Sequence, residues 1–164
     1  MFVLLLDIYT SLSPAHISMT QRKCVAPSQL PRNCTRRLLV SSFISLLPAF
    51  LAARKGRYDF ARVPFAVFLT SVNYWRNPAF GLRRKVDMAV VGTGALYQLY
   101  RSHESRYQSA YVGGFLGAAC CYAAARANDD PQISTLWHVG LHVIANAGNA
   151  MLYVGLPTCN SSKI

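Results

Sequence analysis

Charge is scarce in this chain. Only 14% of its 164 residues are charged, where soluble domains average about 25%. Acids are scarcer still: six Asp and Glu stand against 17 Lys and Arg, a formal net charge of +11. The basic residues sit at the ends of apolar runs, where long side chains reach lipid headgroups. A nucleic-acid binder would gather them on one face of a soluble fold, and no nucleic-acid-binding motif accompanies them. The sequence also lacks a phosphate-binding glycine loop, a nucleophile elbow and a CxxC pair, which leaves out the common nucleotide, serine-hydrolase and dithiol chemistries. Its five cysteines have no zinc-knuckle spacing. Cys120 and Cys121 are adjacent in an apolar run and read as small apolar fillers.

What is abundant is hydrophobicity: 52% of residues, with a mean hydropathy of +0.22. The charged clusters Arg54 to Arg62, Arg76 to Asp87, Arg101 to Arg106 and Arg126 to Asp130 divide the chain into apolar runs, several near the ~20 residues a spanning helix needs. The fold class expected is all-α, a polytopic membrane bundle of about five transmembrane helices. The competing class is a soluble all-α bundle with unusually apolar helices. The spans run from Leu38 to Ala53 (with Pro48 as a kink), Phe60 to Trp75, Val86 to Tyr100, Ser109 to Ala127 and Ser134 to Leu156. Ser134 or Thr135 is the expected cap of the last one. Residues 1–36 form a basic, disordered arm, 37–157 the transmembrane bundle and 158–164 a short tail. Basic residues are more numerous on the N-terminal side, so the positive-inside rule puts the N-terminus inside. That places Asn160, in a glycosylation sequon, outside. Gly113 and Gly117 form a GxxxG that predicts a close helix-packing partner.

Polar chemistry concentrates in two places, Thr70 to Asp87 and Trp137 to His142. Asn77-Pro78 breaks the helix and Gly81 allows the reversal. Ser71 then lies one turn inside the second helix, and Asp87 opens the third. His138 and His142, four apart, share a face of the fifth. Antiparallel helices bring all four towards one leaflet, where two imidazoles can chelate a metal and a carboxylate can act as base or fix a His tautomer. Read singly, each has a plainer role: Asp87 as a helix cap, Ser71 bonded within its own helix, the His pair as interhelical glue.

The order Ser71, Asp87, His138, His142 resembles the membrane hydrolase superfamily of the alkaline ceramidases and the adiponectin and progestin receptors. The resemblance implies zinc on His138 and His142, with Asp87 and Ser71 assisting a metal-bound water against a lipid amide or ester. Two features depart from it. The family's His four residues after the Ser is Trp75 here, and its seven helices exceed the five available. Two functions therefore stand at this point. One is a small multi-pass integral membrane protein, non-enzymatic or a degenerate relative of those hydrolases, whose partner is the lipid bilayer. The other is an intramembrane metal-dependent hydrolase with a lipid substrate. Bis-His haem ligation is disfavoured because His138 and His142 lie on one face of one helix.

Overall fold

The structure, a computed structural model, describes residues 30–158. The arm up to residue 29 and the tail from residue 159, with Asn160, lie outside the described residues. Five helices account for most of what is described: α1 Arg32–Arg54, α2 Tyr58–Trp75, α3 Leu82–Arg101, α4 Gln108–Ala127 and α5 Pro131–Gly155. No strand occurs among the described residues. The all-helical expectation and its five segments hold.

Two boundaries move, for local reasons. α1 begins at Arg32, so residues 32–36 belong to the bundle and not to the arm. α5 begins at Pro131, ahead of the expected Ser134 or Thr135. Asp130 is its cap, with Oδ1 accepting from the backbone N–H of Gln132 at 2.7 Å and Ile133 at 3.2 Å. Proline at the first helical position loses no hydrogen bond, and a carboxylate is a strong cap. Ser134 instead donates to the Ala125 carbonyl at 2.8 Å and ties the start of α5 to the end of α4.

The two internal prolines explain two further features. Pro48 cannot donate to the carbonyl four residues back, and its ring crowds that turn. The helix tightens to a 3₁₀ turn over Phe43–Ser45 and then resumes. Pro64 likewise leaves the Phe60 carbonyl without its helical donor. The hydroxyl of Tyr153, fully buried on α5, reaches that carbonyl at 3.4 Å, the kind of neighbour that makes a proline acceptable in an apolar helix.

The helices pack in the spatial order α3, α2, α1, α5, α4, and the α4–α5 contact is the most extensive. The larger core cluster includes Ala52, Phe60, Tyr111, Leu152 and Tyr153, near the α1–α2 and α3–α4 connections. There Gln98 donates to the Tyr153 hydroxyl and accepts from Tyr111 at 3.4 Å. Leu38, Tyr74 and Trp75 form a smaller cluster at the opposite end.

Charge closes the first end. Arg57 bridges Asp59 at 3.3 Å and Glu104 at 2.6 Å, and Arg101 bridges the same two acids, Asp59 at 3.1 Å. The four alternate in sign around a closed ring. Both guanidinium groups also lie over the Phe60 ring, at 4.8 and 5.1 Å from its centroid, a cation–π arrangement. Hydrogen bonding from Arg101 holds the Glu104 carboxyl down at about 2, with Arg57 adding to the effect against partial burial. Lys55 donates to the last carbonyls of α5, Val154 at 2.6 Å and Leu156 at 2.9 Å, where a cation suits the helix dipole.

One helix among the described residues, α1, is long and apolar enough to cross a membrane by length and composition. It carries apolar side chains on both its buried and its outer face. Its buried face carries Cys34, Leu38, Ser41, Ser45, Ala49 and Ala52. Its outer face carries Val40, Phe43, Leu47 and Phe50, each at least half exposed.

The GxxxG resolves differently from its expected register. A side chain at Gly113 would meet open space, whereas one at Gly114 would come within 3.0 Å of the Gly148 backbone. Gly117 does face α5, packed near Ile144. The seam of α4 is thus Tyr111, Gly114, Ala118, Cys121 and Ala125, spaced three and four apart. Four of these are buried outright, and Gly114 is the point of closest approach.

Candidate functional site

The reversal between α2 and α3 is built as its residues suggest. α2 ends at Trp75, and Gly81 takes a φ of 149°, a backbone setting suited to glycine, just before α3. That turn lays the start of α3 along the end of α2. Asp87 Oδ1 accepts from Ser71 Oγ at 2.7 Å and from Thr70 Oγ1 at 2.8 Å. Ser71 and Asp87 are both buried, at 4% and 9% exposure. Two hydroxyls from one helix converging on one carboxyl oxygen of the next fix the register of α2 against α3. Thr70 is the residue missed in the sequence, because only the turn geometry puts two adjacent hydroxyls within reach of one acceptor.

His138 and His142 project towards α1 and α2. Their rings meet edge to face, with centroids 5.2 Å apart. His138 also meets the Trp75 ring edge to face at 5.3 Å. His142 Nδ1 lies 2.8 Å from Ser41 Oγ on α1. Ser41 Oγ also lies 3.0 Å from the Leu38 carbonyl. A hydroxyl has one hydrogen, so when it goes to Leu38, His142 carries its proton on Nδ1 and keeps a lone pair on Nε2. Ser41 was not legible as a partner, being one of three serines in an apolar run.

The four candidate residues thus form two pairs. Hydrogen bonds join Ser71 to Asp87, and ring contact joins His138 to His142. No hydrogen bond or ion pair links Asp87 to either histidine among the described residues. The helix order explains the division: α3 packs on α2, whereas α5 packs on α1 and α4. Trp75, one turn beyond Ser71, stands against His138 where the resembled family carries a histidine.

As a metal centre the arrangement offers two imidazoles on one face. A catalytic zinc takes three protein ligands and an open position. No group of three or more His, Cys, Asp or Glu among the described residues is placed to hold a metal ion, and Asp87 is engaged by its two hydroxyls. The residues present fall short of that donor set. Buried polar atoms also lie at this end, Trp75 Nε1 and Thr135 Oγ1, and neither has a hydrogen-bond partner among the described residues. Comparison with protein families, curated proteins and solved structures finds no match for the chain.

Proposed function

We propose that this chain is a multi-pass integral membrane protein of about five spans, with a non-enzymatic role, in which Ser71, Asp87, His138 and His142 hold helices together. The observation that carries this reading is the amount of large apolar side chain turned outward, with polar groups among the buried positions. Outward-facing Phe, Leu and Val stripe α1, and large apolar side chains such as Leu69, Leu96, Leu116 and Val143 extend the pattern to the other four helices. Beside the apolar core, the buried positions also hold serines, Gln98, Asp87 and Asn146. Soluble monomers rarely leave contiguous apolar patches beyond a few hundred Å² in water. In lipid the same outer surface is solvated by acyl chains, and interhelical polar contacts and small residues provide the cohesion. The test is fractionation of cells expressing the full chain. It should stay with membranes through an alkaline carbonate wash and enter solution only with detergent. Release by carbonate overturns the reading.

A second reading, a metal-dependent membrane hydrolase of a lipid amide or ester, draws on the His138–His142 pair and the lone pair left on His142 Nε2. Zinc analysis of the detergent-purified protein separates the two readings. Near-stoichiometric zinc that His138→Ala removes would favour the hydrolase. Zinc-free protein, with the same substitution costing only stability, favours the packing role.

A further inference from the structure

We propose that the cleft at the junction of α1 and α2 binds a phosphate group. The cleft has a volume of about 420 Å³ and is lined by Arg32, Arg36, Arg76 and Trp75, with Leu39 and Asn77 among its other walls. Arg32 and Arg36 are four apart and share a face of α1. Arg76 comes from the other wall, at the C-terminal end of α2. Three guanidinium groups therefore line one concavity with no carboxylate among the lining residues. None of the three guanidinium groups has a hydrogen bond or ion pair with any described residue, in contrast to those of Arg57 and Arg101 at the opposite end, which are paired. Like charges held together are unfavourable until an anion enters, and guanidinium groups match phosphate oxygens with paired, charge-assisted hydrogen bonds.

One further feature favours an anion at the same cleft. Pro31, which precedes α1, offers no capping side chain, and although Asn33 Oδ1 takes the Cys34 N–H, the positive end of the helix dipole remains. Trp75 lines the cleft while remaining only 6% exposed. Leu39 and the Trp75 ring supply an apolar wall beside the charges. The site rests on the membrane reading only for the source of its phosphate. At the end of α1, the helix apolar enough to cross a membrane, a lipid headgroup phosphate lies within reach, and free phosphate shares the chemistry.

The test uses the full chain in detergent with Trp137→Phe, which leaves Trp75 as the single indole of the two in the sequence. Dioctanoyl phosphatidic acid should change Trp75 emission saturably, and dioctanoylglycerol, without the phosphate, should not. The triple variant R32Q/R36Q/R76Q should bind roughly tenfold or more weakly, the scale expected for losing charge-assisted hydrogen bonds. Circular dichroism checks its fold, and the single variant R76Q, at an exposed helix end, should weaken binding in the same direction. Inorganic phosphate that competes with the lipid would identify free phosphate as sufficient. Lipid binding without that competition would identify the headgroup in its bilayer setting. No saturable response to either probe, or arginine variants that bind as tightly as the parent, would overturn the site. Should carbonate release the protein from membranes, the inorganic phosphate titration still reports on the cleft alone.

Discussion

At the scale of single residues, Asp87 matters as an acceptor. Asp87→Ala strands the buried hydroxyl of Ser71 and removes one acceptor of Thr70. An unmet buried polar group costs about 1–3 kcal/mol, and thermal unfolding in detergent should show a loss of that order. Asp87→Asn keeps an oxygen at the bonded position and should lose much less. Equal losses in the two variants would mean that the negative charge, and not the acceptor, holds α2 to α3. Glu104 gives a pH signature at the opposite end. Its carboxyl is held at about 2, against an ordinary value of 4.5, chiefly by the hydrogen bond from Arg101. A depressed carboxyl stabilises the fold in full above its unfolded value and loses that contribution as pH falls through the folded one. The parent should therefore lose stability between roughly pH 4.5 and 2 with a component that Glu104→Gln lacks. Melting curves of both proteins across that range check it.

At the scale of helices, Gly114 sets the approach of α4 to α5. A Cβ there would stand 3.0 Å from the Gly148 backbone, whereas one at Gly113 would touch nothing. Both substitutions to Ala gain the same helix propensity, about 0.5–1 kcal/mol. Gly113→Ala should then be neutral or stabilising. Gly114→Ala should come out lower by roughly 1–3 kcal/mol, the usual cost of overpacking. Denaturation of the two variants side by side makes the comparison internal. The pair also shows what the sequence revealed of the helices. Helix existence followed from apolar runs between charge clusters, and five were legible. The small-residue stretch of α4 was legible too, but its register was not. Gly113, Gly114 and Gly117 lie within five residues, and only the docked partner selects two of them. Asp130 was passed over as the cap of α5 because Ser134 and Thr135 stand nearer the apolar run. The ring of Arg57, Asp59, Arg101 and Glu104 was out of reach, because its members come from segments more than forty residues apart. For the candidate site, Ser71 with Asp87 and His138 with His142 could be paired from helix spacing. Which pair faces which neighbour depended on the lateral order of the helices, to which no periodicity speaks.

At the scale of the whole molecule, the central question is what surrounds the outer surface. Leu116 decides it sharply. It lies near the middle of α4, on the side away from the seam with α5, and is 57% exposed. In water such a position tolerates substitution within about ±0.5 kcal/mol, and a lysine there would if anything aid solubility. At the centre of a bilayer, a lysine costs about 2.5–3.5 kcal/mol on insertion scales. α4 is also a demanding place to ask, since among the described residues α1 alone is long and apolar enough to span, and a bundle with only α1 in lipid would leave Leu116 in water. Leu116→Lys should therefore reduce the membrane-integrated fraction and lower the melting temperature in lipid nanodiscs. Tyr100→Lys, at the end of α3 and 76% exposed, should do little, because a lysine near a helix end reaches the headgroups. If both variants behave like the parent in membranes, α4 is not a lipid-facing span and the number of spans falls. If Leu116→Lys alone fails, the apolar exterior and the polar groups held inside share one physical cause: the hydrocarbon is the solvent, and the hydroxyls, amides and carboxyls are inside because nothing outside can bond them.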